Sequence, residues 1–84
     1  DVLMESTPNH VDPEQVKGDL LDISGVQEVH DLHIWTVSSG RLALSVHLIS
    51  TQSKSVLQRA HEILKERHHI FHTTIQIEHP DQFL

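Results

Sequence analysis

Eighty-four residues make one small domain with a thin core, since a chain this short buries only about 60 to 65% of the surface it exposes when unfolded. The absence of Cys removes disulfides, thiolate zinc sites, iron-sulfur clusters and cysteine nucleophiles, so a metal here must be held by nitrogen and oxygen. A net charge of -6 and only three aromatic residues leave neither a phosphate-neutralising surface nor a base-stacking platform, which excludes nucleic acid as a partner.

No apolar run reaches the roughly 18 to 20 residues of a membrane-spanning helix, and no signal peptide opens the chain. It starts at Asp1 rather than Met, as expected of a piece of a longer protein. Residues 1–11 carry no clear period and contain Pro8, so they are expected to be a lead-in segment, with the folded domain over 12–84. Asp12-Pro13-Glu14-Gln15 then announces a helix, with an N-cap carboxylate, Pro at the first helical position, acid in the first turn and Gln at the capping-box position. Val16, Leu20 and Ile23 form its apolar stripe with Leu21 beside it, and Gly25 is the expected C-cap. Gly18 inside it costs about 1 kcal/mol relative to Ala.

Val26 to Val37 is rich in β-branched and apolar residues, Ser38-Ser39-Gly40 is a turn, and Leu42 to Ile49 is a second such run, which together predict a hairpin. A second helix is predicted from Ser53 to Arg67, with Val56, Leu57, Ala60, Ile63 and Leu64 on one stripe. Thr73 to Glu78 alternates as a third strand that Pro80 stops. The order α-β-β-α-β predicts an α+β fold, a two-layer ferredoxin-like sandwich on a three-stranded sheet. A right-handed crossover through the second helix makes the second and third strands parallel neighbours.

Nine His are spread from His10 to His79. The predicted topology brings His30 at the start of the first strand, His47 near the end of the second and Glu78 at the end of the third to one edge of the sheet. If Ser38 pairs with Arg41, Leu32 faces His47, and His30 and His47 become diagonal neighbours on one face, about 7 Å apart at Cβ. Imidazole and carboxylate donors suit Zn²⁺, and also Co²⁺, Cd²⁺ or Ni²⁺.

A lone His is more often a surface or cap residue than a ligand, and His68 and His69 fit that reading at the end of the second helix. His33 shares a face with Trp35, where packing competes with ligation, and His61 lies on the solvent side of the second helix, where it could only join a site shared between subunits. His10 ligates only if its segment folds back or meets a partner chain. His72 and Glu78 are about 20 Å apart along one strand, so they serve separate sites, while His79 and Asp81 supplement the Glu78 end. Ser45 beside His47 is the sharpest rival chemistry, but without an oxyanion loop or nucleophile elbow the expectation is no enzyme. Asp19 with Asp22, and Glu62 with Glu66, read as solvated helix faces.

Val29-His30-Asp31-Leu32-His33-Ile34-Trp35, together with Leu3-Met4-Glu5-Ser6-Thr7-Pro8, Ser45-Val46-His47-Leu48 and His72-Thr73-Thr74-Ile75-Gln76-Ile77-Glu78, closely resembles the C-terminal cytoplasmic domain of the cation diffusion facilitator family. Within that family it looks most like the bacterial cobalt-zinc-cadmium efflux proteins. The resemblance runs from about Leu3 to Glu78 and implies the helix-strand-strand-helix-strand fold already read from periodicity. It further implies an upstream membrane domain in which divalent metal is exchanged for protons, placing this domain at the cytoplasmic face of the (bacterial inner) membrane. By the same resemblance the domain binds cytoplasmic zinc or a similar ion and holds two protomers together as a homodimer.

Position by position, His30 and His47 match the family's cytoplasmic ligands, and Glu78 matches a position often filled by a His or carboxylate ligand. Where many members carry two adjacent His before Thr-Thr-Ile-Gln, this chain has Phe71-His72, with His68-His69 displaced upstream. Ser6 stands where Gly is common. The expected function is a regulatory domain of a divalent-cation efflux transporter, in which ligation shifts the angle between protomers. The competing readings are a metal-independent dimerisation scaffold and a free-standing zinc buffer or chaperone.

Overall fold

A computed structural model of the chain describes residues 2–5 and 11–83. Its elements are β1 (Val2–Glu5), α1 (Pro13–Leu21), β2 (Val26–Ser38), β3 (Arg41–Ser50), α2 (Ser53–His68) and β4 (His72–Glu78), followed by a single 3-10 turn over Pro80–Phe83. The expected α-β-β-α-β order stands as α1-β2-β3-α2-β4. Among the described residues, however, the sheet has four strands in the order β1-β2-β3-β4 rather than three. The added strand comes from the lead-in segment and runs parallel to β2, from Val2 beside Leu32 to Glu5 beside Trp35. Val2-Leu3-Met4-Glu5 does not alternate, so no strand period marks it in the sequence.

α1 starts as its sequence requires, with the Asp12 carboxylate accepting the Glu14 N–H at 3.0 Å. Gln15 does not close a capping box. Its amide donates forward to Asp19 Oδ1 at 3.0 Å, within the same helix. The helix ends at Leu21 with Asp22 as its cap, so Gly25, at φ +100, lies in the turn into β2 instead of capping α1. In α2 the spacing of Val56, Ala60, Ile63 and Leu64 buries one stripe against the sheet, whereas Leu57 stays 37% exposed outside it.

The core lies between the helices and one face of the sheet. Leu42, Leu44, Val46 and Leu48 alternate along β3 into that core with Leu32 and Ile34 of β2, and Val16, Leu20, Val56 and Leu64 cover them from the helices. Val11, one residue ahead of the boundary expected at residue 12, is also buried there. The alternate residues of β3, including Ser45 and His47, therefore lie on the outer face, away from both helices. β3 and β4 are parallel, with Ala43 beside His72 and Ile49 beside Glu78, as the crossover predicts.

Three register shifts interrupt the β2–β3 hairpin, between Val26 and Glu28, His30 and His33, and Thr36 and Ser38. Each adds one residue to β2 relative to β3. Two of them lie between the turn and His30, so His30 pairs directly with His47, and the diagonal placement expected from an uninterrupted ladder is corrected. Because a slip of two residues preserves the alternation, both His stay on one face.

Candidate metal centre

The ends of β3 and β4 and the start of β2 meet at one end of the outer face. There Glu28, His30, Asp31, His47, Ile49, Glu78 and Pro80 line an open cleft of about 510 Å³. His30 and His47 face each other across the antiparallel pair, and Glu78 stands on the neighbouring strand beside Ile49. Glu78 Oε2 lies 3.3 Å from His47 Nδ1, and Asp31 Oδ2 lies 3.6 Å from the same nitrogen. His30 Nε2 is 2.9 Å from Glu28 Oε1. Gln76 donates its amide to Glu78 Oε2 and so fixes that carboxylate, whose side chain is only 16% exposed against 37% for His47.

Two imidazoles and three carboxylates in one cleft give donors of borderline and hard character and a negative field that attracts cations. As the side chains stand, no group of three or more His, Asp or Glu among the described residues is placed to hold a metal ion.

The structure thus brings His30, His47 and Glu78 together and leaves the other candidates apart. His72 is exposed at the opposite end of β4, beside Ala43, in a separate cleft with Gly40, Arg41 and Phe71. His33 is half-buried on the outer face opposite Ser45, next to the Trp35–Ala43 pair. His61 is exposed on α2, with Nδ1 2.9 Å from Thr73 Oγ1. His79 and Asp81 engage each other beyond Glu78, the Asp81 N–H donating to His79 Nδ1 at 3.2 Å. His10 lies outside the described residues.

Two acids of the cleft were missed from sequence. Glu28 sits two residues before His30, so simple alternation would have found it. Asp31 follows His30 directly, which by alternation sends it to the core face; only the bulge reverses that.

Two further readings are corrected on the helical side. His68 is not a surface cap and Asp19 is not a solvated acid: His68 Nε2 lies 2.7 Å from Asp19 Oδ2, with the two side chains 9% and 10% exposed. Burial pushes the Asp19 carboxyl up, but the hydrogen bonds from His68 and Gln15 and the nearby charges of His68 and Arg67 outweigh it, leaving the group below its ordinary value. His69 is the residue that ends α2, in a left-handed conformation at φ 56.

A family model described as the cytoplasmic domain of cation efflux proteins matches residues 8–80. This chain belongs to that family. It is 54% identical over 82 residues to the "Probable zinc transporter protein" of Dictyostelium discoideum, covering 94% of this chain and 15% of that protein. It is 37% identical over 81 residues to the metal cation efflux system protein CzcD of Cupriavidus metallidurans, covering 92% of this chain and 26% of that protein. Among solved structures, the metal-bound C-terminal domain of the CzcD transporter matches with a TM-score of 0.76 at 36% identity, over 81% of this chain and 99% of that one. The cation efflux domain thus spans a minor part of the curated relatives it matches, and those relatives come from eukaryotes as well as bacteria. Among the described residues no helix is long and apolar enough to cross a membrane.

Proposed function

We propose that this cation efflux domain binds a divalent cation on the outer face of its sheet, with His30, His47 and Glu78 as ligands, and that two copies form a homodimer whose geometry responds to that ion. Zn²⁺ is the first choice, with Co²⁺, Cd²⁺ and Ni²⁺ as alternatives of similar donor preference. The observation that carries the reading is the direct opposition of His30 and His47, with Glu78 Oε2 3.3 Å from His47 Nδ1 in an open cleft. Directly opposed residues have Cβ atoms about 4.5 to 5.5 Å apart, close enough for both imidazoles to reach one ion at about 2.0 to 2.1 Å. Gln76 holds the Glu78 carboxylate in place, the outer support that ligating carboxylates need.

In the whole protein the lead-in residues would connect to a membrane domain that exports the metal, with this domain at the cytoplasmic face reporting metal supply. Ligation biases the dimer only by the difference in ion affinity between its two arrangements, for which 1 to 3 kcal/mol is a typical coupling. His72, about 20 Å from Glu78 along β4, would belong to a second and independent site. His33, His61, His79, Asp81 and His10 are secondary candidates.

A zinc titration followed by NMR of the imidazole groups tests this reading. The His30 and His47 rings should shift together and saturate at about one ion per chain before the His72 or His61 rings respond. Early shifts at those other rings, with His30 and His47 unmoved, would refute it.

A further inference from the structure

Between His30 and His33, β2 has two residues where β3 has only Val46. Leu32 is 1% exposed in the core, so Asp31 is the inserted residue, and its φ is +53. At such a bulge the left-handed position is one that Gly fills most easily, because a Cβ is crowded there. Asp is one of the few other residues that enter this region readily, so the bulge can carry a carboxylate at small backbone cost.

The bulge moves this carboxylate from the core side, where alternation would send it, to the outer face beside His47. His47 Nδ1 then faces two carboxylate oxygens at once, Glu78 Oε2 at 3.3 Å and Asp31 Oδ2 at 3.6 Å. One N–H serves one acceptor well. A cation in its place serves both: a tetrahedral ion with bonds of about 2.0 to 2.2 Å has ligand-to-ligand edges of about 3.3 to 3.6 Å. The two separations from His47 Nδ1, 3.3 and 3.6 Å, lie within that range.

We infer that Asp31 is a ligand of the same cation, delivered by the β-bulge, and that the ion is held on the Nδ1 side of His47 between Asp31 and Glu78. This rests on the reading of the His30, His47 and Glu78 centre given above. Asp31 is 64% exposed, so the convergence still needed is a rotation of its side chain at the surface, while Glu78 stays fixed by Gln76.

Two variants test it. Asp31→Asn keeps the shape and tolerates the left-handed backbone but removes the charge, and Asp31→Gly removes the carboxylate and relieves the backbone. Zinc affinity is measured by calorimetry against a competing chelator, alongside thermal unfolding of the metal-free chain. Both variants should bind zinc roughly 10- to 100-fold more weakly while unfolding at or above the temperature of the unsubstituted chain. Nitrogen-15 NMR should show the His47 Nδ1 resonance, rather than Nε2, moving on zinc loading of the unsubstituted chain.

Affinity of both variants equal to that of the unsubstituted chain would overturn the assignment. If His47→Ala abolishes binding in that case, the centre stands and Asp31 is no part of it. A chain that takes up no zinc at all would overturn the centre and this inference together.

Discussion

His68 at the end of α2 closes on Asp19 in the last turn of α1, with Nε2 2.7 Å from Oδ2, and joins two helices across 49 positions of sequence. Gln15 bonds the other carboxylate oxygen, and Arg67 stands 3.6 Å from it. Removing the carboxylate leaves a covered imidazole without this acceptor. Asp19→Ala should therefore lower the unfolding free energy by about 1.5 to 3 kcal/mol, read from urea denaturation of the metal-free chain. Leu57→Ala, on the exposed flank of α2, should change it by less than about 0.5 kcal/mol. Equal losses in the two variants would show that the pair adds nothing.

The same pair sets an acid limit. Burial raises the Asp19 carboxyl, but the hydrogen bonds and positive charges around it bring the group below its ordinary value of 3.8. A depressed folded-state value means the unfolded chain takes up the proton first on acidification. Asp19 thus contributes stability that is present above about pH 4 and lost as the pH falls through the folded-state value. Thermal midpoints recorded from about pH 5 to pH 2 should fall more steeply for the unsubstituted chain than for Asp19→Asn. Parallel curves would contradict the assignment.

Gly18 and Gly25 should respond oppositely to Ala. A Cβ at Gly18, inside α1, meets nothing within 4 Å, so Gly18→Ala should stabilise by about 1 kcal/mol through helix propensity. At Gly25 the backbone has φ +100, and a Cβ would press on Gln52 at 3.1 Å and Val56 at 3.2 Å. Gly25→Ala should destabilise by about 1 to 3 kcal/mol. Denaturation midpoints of the two variants moving the same way would count against this account of the α1–β2 turn.

His69 pays a local backbone cost at φ 56 where helices commonly end in Gly. Its capping is done by backbone, with its N–H on Lys65 O at 3.2 Å, so the side chain is dispensable for the cap. His69→Gly should raise the unfolding free energy by about 1 kcal/mol, measured in urea. A loss of stability would mean that the imidazole makes a contribution larger than the strain.

The elements that were legible in the sequence are those written locally. The 3.6-residue stripe of Val56, Ala60, Ile63 and Leu64, the Asp12-Pro13 helix start, and the alternation of Leu42, Leu44, Val46 and Leu48 each carry their own period, and they define the α-β-β-α-β frame. Because the frame dictates which strand ends meet, it also brings His30, His47 and Glu78 to one end of the sheet. What escaped is non-local or aperiodic. The β-bulges leave no composition signal, so the direct His30–His47 pairing and the turn of Asp31 onto the outer face were invisible. The Asp19–His68 contact joins residues whose own neighbourhoods read as solvated helix surface. β1 has no alternation of its own and is defined as a strand by its pairing with β2.

Calorimetric titration of the metal-free chain with Zn²⁺, beside His30→Ala and His47→Ala, tests the central claim most directly. The account predicts saturable binding of about one ion at this centre, at physiological salt and against a competing chelator, lost or weakened at least tenfold in each variant while the metal-free fold is kept by circular dichroism. Zinc uptake of unchanged affinity and stoichiometry in both variants would contradict it.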